Sequence, residues 1–161
     1  MKYECLDKKT REFMLAELQR DIASGVLYYG VNLSEAGKAR WAELLRQAIE
    51  EQDDDWLVQK LTGRGMMITT GKLKAVMLAE GEFNRFYVRG LCVRTISEGG
   101  SAVVVCRAKS VSDPRPESRA LIGKRISAGA LLQDLRTAQG KTPALGIPGG
   151  PNSGITVRLA K

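Results

Sequence analysis

The spacing of hydrophobic residues predicts three helices in the first part of the chain. Between residues 7 and 24 apolar side chains recur on one side of a helix, and Gly25 follows as a helix stop. Ser34 is placed to cap a second helix. The apolar residues that recur at helical spacing there are Leu33, Trp41, Leu44, Leu45, Ala48 and Ile49. The aspartates at 53–55 supply an N-cap for a short helix expected at 56–61.

The middle of the chain predicts a connector, a buried helix and a strand. Residues 63–74 contain three glycines and two threonines without helical spacing, which indicates an extended connector or a hairpin. Phe83, Tyr87 and Leu91 then follow at intervals of four, as in the core stripe of a well-buried helix. Residues 101–109 include three consecutive valines and are typical of a β-strand.

The last third of the chain predicts short elements separated by turns. Two prolines within 113–118 indicate an irregular loop, because proline removes a backbone donor and disfavours helix at the residue before it. A short strand is expected at 121–126. Ser127 then caps a helix that ends near 139–140, and a last strand is expected at 155–159.

These elements predict an α+β fold with a long helix packed on a short β-sheet. We expect three parts: a helical N-terminal arm (1–62), the glycine-rich connector (63–74) and a small mixed domain (75–161). Charge divides the chain at the same place. The arm has 9 Lys/Arg and 12 Asp/Glu (net −3), whereas residues 63–161 have 16 and 6 (net +10). This split suits packing between copies or binding to nucleic acid or an acidic protein; the alternative is a basic domain that merely carries an acidic arm.

The chain contains no histidine, which excludes the usual catalytic triads and most zinc hydrolase sites. Its three cysteines include no close pair, so we interpret them as buried small hydrophobes. We therefore expect no enzyme, cofactor or metal site. Carboxylate or lysine chemistry is the alternative, and its signature would be a cleft that holds Glu80, Glu82 or a buried lysine with a strongly shifted pKa.

Eight basic residues are candidates for contact with a partner. Arg85 and Arg89, one helical turn apart, form a predicted basic edge with Arg94 nearby. A second cluster follows, made of Arg107, Arg115, Arg119, Lys124 and Arg125, with Lys109 in the same stretch. Guanidinium groups suit bidentate contacts to carboxylate or phosphate. The alternatives are a solvated basic face and internal ion pairs with the acidic arm. The case for nucleic acid rests on charge alone, since no zinc-finger, RRM or KH signature is present.

Four stretches of the second half carry a resemblance to a known group of proteins: GEFNRFYVRGLCVRTISEGG, VVVCRAKSVSDPRPESRALIGKRI, LLQDLR and GIPGGPNSGITVRL. They resemble small uncharacterised proteins of tailed bacteriophages whose genes lie among the head genes. The resemblance covers about half of the chain, from Glu80 onward, with residues 33–56 more loosely similar. It implies a virion-associated role, such as a capsid cement or decoration protein or a minor head component, and it carries over no catalytic residues.

We therefore expect a structural or assembly protein of a phage head, made in the host cytoplasm, that binds the major capsid protein or another head protein and forms homo-oligomers. The alternative is a sequence-nonspecific nucleic-acid-binding or host-takeover protein that uses the basic half. No membrane partner is expected, since no apolar run approaches the roughly 20 residues that span a bilayer. Without histidine, an interface of arginines and carboxylates should respond to salt more than to pH between about 6 and 9.

Overall fold

Four helices precede the first strand in the order of elements along the chain. The computed structural model describes residues 1–69 and 71–160; Thr70, in the predicted connector, and Lys161, at the end of the predicted mixed domain, lie outside the described residues. The elements are α1 (Lys8–Ala23), α2 (Glu35–Glu51), α3 (Asp54–Leu61), α4 (Lys72–Ser97), β1 (Ala102–Arg107), α5 (Pro116–Leu121), β2 (Arg125–Ser127), α6 (Ala128–Thr137) and β3 (Ile155–Leu159). This arrangement confirms the predicted α+β fold.

The three strands form one antiparallel sheet in the order β2–β1–β3. The valines of β1 place it in the middle, where Val103 pairs with Ile126 of β2 and with Leu159 of β3. Helix α4 is fixed to this sheet by Asn84. Its amide nitrogen donates to the Ile155 carbonyl at 2.8 Å, and its amide oxygen accepts from the Thr156 hydroxyl at 2.6 Å.

The N-terminal helices share one hydrophobic core with α4 and the sheet. Buried side chains of the first three helices, including Met14 and Trp41, belong to the same cluster as Phe83 of α4 and Val105 of β1. The expected acidic arm therefore packs on its own chain. Helix α1 packs tightly on α4 at Gly90, where a Cβ would sit 2.6 Å from Cγ of Met14.

The predicted helix starts agree with the caps in the structure. The side chains of Ser34, Asp53 and Ser127 accept hydrogen bonds from the backbone amides of residues 37, 56 and 130, at 2.9, 2.8 and 3.3 Å. Each satisfies an amide that the first turn of the helix leaves without a partner. Gly25 follows α1 with a φ of +66°, in the left-handed region that favours glycine.

Three local predictions differ from the structure. Residues 116–121 form α5, so the irregular loop expected at 113–118 ends earlier; Pro116 occupies the first turn, where its missing N–H costs no helical hydrogen bond. The strand expected at 121–126 is β2, at 125–127. Helix α4 already begins at Lys72, inside the expected connector, and residue 67 of the connector forms a β-bridge with Leu33.

Candidate functional site

Arg89 does not lie on a basic edge, because its side chain is 0% exposed. Its guanidinium donates to the carboxylate of Glu17 at 2.8 Å and to both oxygens of Asp21 at 2.6 and 2.8 Å. Both acids belong to α1, which covers this side of α4. The predicted surface role of Arg89 is therefore wrong. Arg89 instead follows the alternative prediction, because it forms internal ion pairs with the acidic arm.

Two further side chains complete the buried network around Arg89. Nε of Arg136, on α6, donates to Oε2 of Glu17 at 3.0 Å, and the Gln139 amide donates to Oδ2 of Asp21 at 3.3 Å. Burial raises the pKa of Glu17, but the hydrogen bonds and charges of Arg136 and Arg89 outweigh it and hold that pKa below its ordinary value. Glu17 thus stays ionised between two guanidinium groups and joins three helices.

Arg85 and Arg94, the other members of the predicted edge, also contact their own chain. The guanidinium of Arg85 is buried and donates to the backbone carbonyls of Ala138 at 2.8 Å and Lys141 at 3.2 Å. Arg94 has a side chain only 14% exposed and lies 2.7 Å from the carboxylate of Asp7. The prediction of an exposed basic edge on α4 is therefore wrong, because neighbouring elements cover these positions.

The downstream cluster divides into one bound and four exposed residues. Arg107 donates to the Ser153 carbonyl at 2.6 Å. The other four occupy the segment of α5 and β2 and are exposed: Arg115, Arg119, Lys124 and Arg125. We call these four the α5–β2 basic surface. Within the described residues their one ion pair joins Arg119 to the exposed Asp113 at 3.7 Å, a contact that contributes little to stability.

A groove of about 450 Å³ lies between the first half of α4 and two irregular segments. Residues of the segments 28–32 and 140–151 line the groove, and the second segment is rich in glycine and proline. Helix α4 lines it as well. It contributes Lys74, Met77, Leu78, Gly81, Glu82 and Arg85.

Glu82 is the unusual residue of this groove. Its side chain is only 9% exposed, and no hydrogen bond from residues 1–69 or 71–160 reaches its carboxylate. The nearest cation is Nε of Arg85, at 3.7 Å. Burial raises the pKa of Glu82 to about 7, because the charges of Arg85 and Arg89 oppose this effect only in part. A chain without histidine therefore has a group that titrates near neutral pH, which its composition does not predict.

Glu82 meets part of the criterion for carboxylate catalysis, which is a cleft that holds an acid with a shifted pKa. It occupies a cleft and its pKa is shifted, whereas Glu80 is ion-paired with Lys109 at 2.9 Å. No second carboxylate lines the described part of the groove. Glycoside hydrolysis by a pair of acids needs that second group. The groove is thus better suited to binding a hydrogen-bond donor or a cation than to paired acid–base catalysis.

The two cysteines whose pKa is shifted, Cys92 and Cys106, are not reactive thiols at neutral pH. Cys92 is buried, whereas Cys5 and Cys106 are half-buried, so the prediction of buried small hydrophobes describes Cys92 alone. Burial raises the pKa of Cys92 to about 12 and that of Cys106 to about 11. A thiol must ionise to act as a nucleophile, and these two remain protonated.

The chain matches no protein-family model, no curated protein and no solved structure. The resemblance to phage head-gene proteins therefore stays a prediction. Within the described part of the chain, none of the helices has both the length and the apolar character needed to cross a membrane.

Proposed function

We propose that the protein is a non-enzymatic component of a bacteriophage head, which binds an acidic surface of the major capsid protein or of another head protein through the α5–β2 basic surface. The observation that carries this proposal is the contrast among the eight basic candidates. Four contact acids or carbonyls of their own chain, whereas the four of the α5–β2 basic surface are exposed on one short segment.

The internal ion pairs limit which surfaces remain for a partner. Asp7, Glu17 and Asp21 of the acidic arm are bound to Arg94 and Arg89 of the same chain. The carboxylates of Glu17 and Asp21 are also buried, so they are not available to a neighbour. The α5–β2 basic surface keeps its charge exposed, and exposed arginines favour contacts to carboxylates on a partner.

A complementary surface for other copies of the chain lies at the junction of α2 and α3. Glu51 and Asp55 are exposed there, and no ion pair within the described residues involves them. A contact between this junction and the α5–β2 basic surface of a second copy would be head-to-tail. Such contacts close into rings or follow the symmetry of a larger shell.

Virions purified from the phage that encodes the protein test the proposal directly. Mass spectrometry should detect the chain at a reproducible copy number, and a high copy number would favour a cement or decoration protein over a minor component. Absence from the particle would refute the head-protein proposal.

A charge-reversed variant tests whether the α5–β2 basic surface makes the contact. R115E/R119E/K124E/R125E should lose incorporation into heads. The matched control, K8E/R40E/R64E/K72E, changes the net charge equally at four exposed basic residues elsewhere and should retain incorporation. Equal behaviour of the two variants would contradict a role for this surface.

Filter binding of the purified chain to DNA distinguishes the nucleic-acid-binding alternative from the head-protein proposal. Affinity that is strong at about 50 mM salt and falls steeply by about 200 mM would favour nucleic acid as the partner. No binding at low salt would remove that alternative.

A further inference from the structure

We propose that the groove above Glu82 binds the side chain of a lysine or arginine from a partner protein, with the carboxylate of Glu82 as its counter-ion. The site is separate from the α5–β2 basic surface and goes beyond the proposed function. Two features of the groove support the assignment: a carboxylate whose hydrogen-bonding capacity is unused, and apolar walls that suit an alkyl stem.

The first feature is the incomplete environment of the carboxylate. Glu82 is more than nine-tenths buried, faces the groove and accepts no hydrogen bond from the described residues. The terminal nitrogens of Arg85 are engaged with the carbonyls of Ala138 and Lys141, and its Nε stays 3.7 Å from the carboxylate of Glu82. A buried carboxylate without a donor is unfavourable, and a cation that enters the groove would supply one.

The same chain contains the completed form of this arrangement. Glu17 is also buried, and it accepts hydrogen bonds from two guanidinium groups, those of Arg89 and Arg136. Glu82 has one guanidinium beside it, that of Arg85, and the distance is longer. The proposed ligand takes the position beside Glu82 that Arg136 takes beside Glu17.

The second feature is the composition of the walls. Met77 and Leu78 of α4 line the groove, together with Pro148 and Pro151. Such surfaces suit the methylene stem of lysine or arginine, which packs on apolar groups while its charged end reaches a polar partner. The groove volume, about 450 Å³, is within the range of ordinary ligand sites.

Other charges around the groove shape the binding without preventing it. Lys74 and Lys141 line the groove but are exposed, so water and salt screen their repulsion of a cation. Arg85 and Arg89 on α4 favour ionisation of Glu82, and Asp21 on α1 opposes it. Because the pKa of Glu82 is about 7, a cation should bind about tenfold more weakly at pH 6 than at pH 8.

The experiment uses the intact chain and four small probes followed by NMR. The probes are Nα-acetyl-lysine methylamide, Nα-acetyl-arginine methylamide, the uncharged Nα-acetyl-norleucine methylamide and butylamine. We expect the lysine or arginine probe to shift resonances of groove residues at pH 8, to do so more weakly at pH 6, and to bind more tightly than norleucine and butylamine. No binding of either basic probe at pH 8 would refute the proposal. If butylamine bound as tightly as the lysine probe, the groove would recognise any small amine, and the proposal that its ligand is a protein side chain would be refuted.

Two variants assign the binding to Glu82 and to the groove. E82Q removes the charge while keeping the shape, and it should lose both the binding and its pH dependence. G150L adds a side chain at a residue that lines the groove, and it should weaken binding while leaving Glu82 in place. The backbone tolerates this change, because φ is −55° and a Cβ meets no atom within 4 Å. E12Q, at an exposed position on α1, is the control and should bind normally. Unchanged binding by E82Q would refute the role of Glu82. These tests need no phage particle, so their failure would leave the proposed function standing.

Discussion

Nη1 of Arg89 lies 2.6 Å from Oδ2 of Asp21, and both side chains are almost completely withdrawn from solvent. The pair joins the basic half of the sequence to its acidic arm inside the core. Burying two charges costs free energy that only good geometry and further hydrogen bonds offset, and Glu17, Arg136 and Gln139 provide those bonds here. Some of the opposite charges of the two halves, those of Arg89, Glu17 and Asp21, therefore stabilise the fold of one chain and do not bind a partner.

Removing Arg89 should destabilise the fold strongly. R89M would leave Asp21 buried without its principal partner and Glu17 with one guanidinium instead of two. We expect a loss of about 3–5 kcal/mol in the free energy of unfolding, measured by urea denaturation. R40M, at an exposed arginine of α2, should change it by less than about 0.5 kcal/mol. A loss below about 1 kcal/mol for R89M would contradict the structural role of the network.

The contact between α1 and α4 requires glycine at position 90. In G90A the new methyl would lie 2.6 Å from Cγ of Met14 and 3.0 Å from its backbone nitrogen, so α1 would have to shift. We expect a loss of about 1–3 kcal/mol despite the higher helix propensity of alanine. G129A in α6 meets no atom within 4 Å and is the matched control, for which thermal denaturation should show unchanged or increased stability. A stabilised G90A would show that the helices are not in close contact there.

The sequence predicted helices and strands well where local signals decide them. Caps at Ser34, Asp53 and Ser127 and the glycine after α1 mark boundaries by local chemistry, and the three valines of β1 determine a strand by their preference for a pleated, buried surface. The loop expected at 113–118 was wrong because two prolines were interpreted as helix breakers. Pro116 instead begins α5, a position that proline tolerates.

The surface predictions failed for a different reason, since burial depends on what packs against a helix. Arginines of α4 were expected to be exposed, but α1, α3, α6 and the sheet pack around this helix, and Arg85 and Arg89 are buried. One signal for the network was present. Glu17 and Asp21 are spaced by one helical turn, so they share one face of α1 and can bind one basic side chain of a neighbouring helix, here Arg89. The environment of Glu82 had no such signal, because it arises from residues 28–32 and 140–151.

The raised pKa of Glu82 should make stability depend on pH near neutrality. The folded value is about 7, above the ordinary value of 4.5, so the folded state holds a proton that the unfolded chain releases between these values. The stability that this group contributes is complete below about pH 4.5 and is lost as pH rises through 7. E82Q cannot ionise, and we expect it to exceed the native protein by up to roughly 3 kcal/mol at pH 8 and to match it near pH 4.

Urea denaturation at pH 4, 6 and 8 measures this difference. E12Q, at an exposed glutamate, should show no comparable trend. A difference between E82Q and the native protein that stays constant with pH would mean that the pKa of Glu82 is the same in the folded and unfolded chain. The pH dependence of ligand binding between pH 6 and 8 would then fail as well. The expectation that an interface of arginines and carboxylates responds little to pH between about 6 and 9 stays a prediction. Glu82 is a carboxyl group outside such an interface whose pKa, about 7, falls within this range.

Association between copies should depend on the charges of the α5–β2 basic surface and of the junction between α2 and α3. If Arg115 and Arg119 of one copy contact Glu51 and Asp55 of another, sedimentation should show self-association at about 50 mM salt that disappears at about 500 mM, because exposed ion pairs are screened. R115E/R119E and E51K/D55K should each be monomeric alone, since each places like charges opposite one another. Mixed in equal amounts, the two variants should associate with each other, because the reversed charges are again complementary. Association that persisted in either variant alone would contradict this contact. A native chain that stays monomeric at low salt would refute the homo-oligomer. Binding to another head protein would then remain as the proposed role of the basic surface.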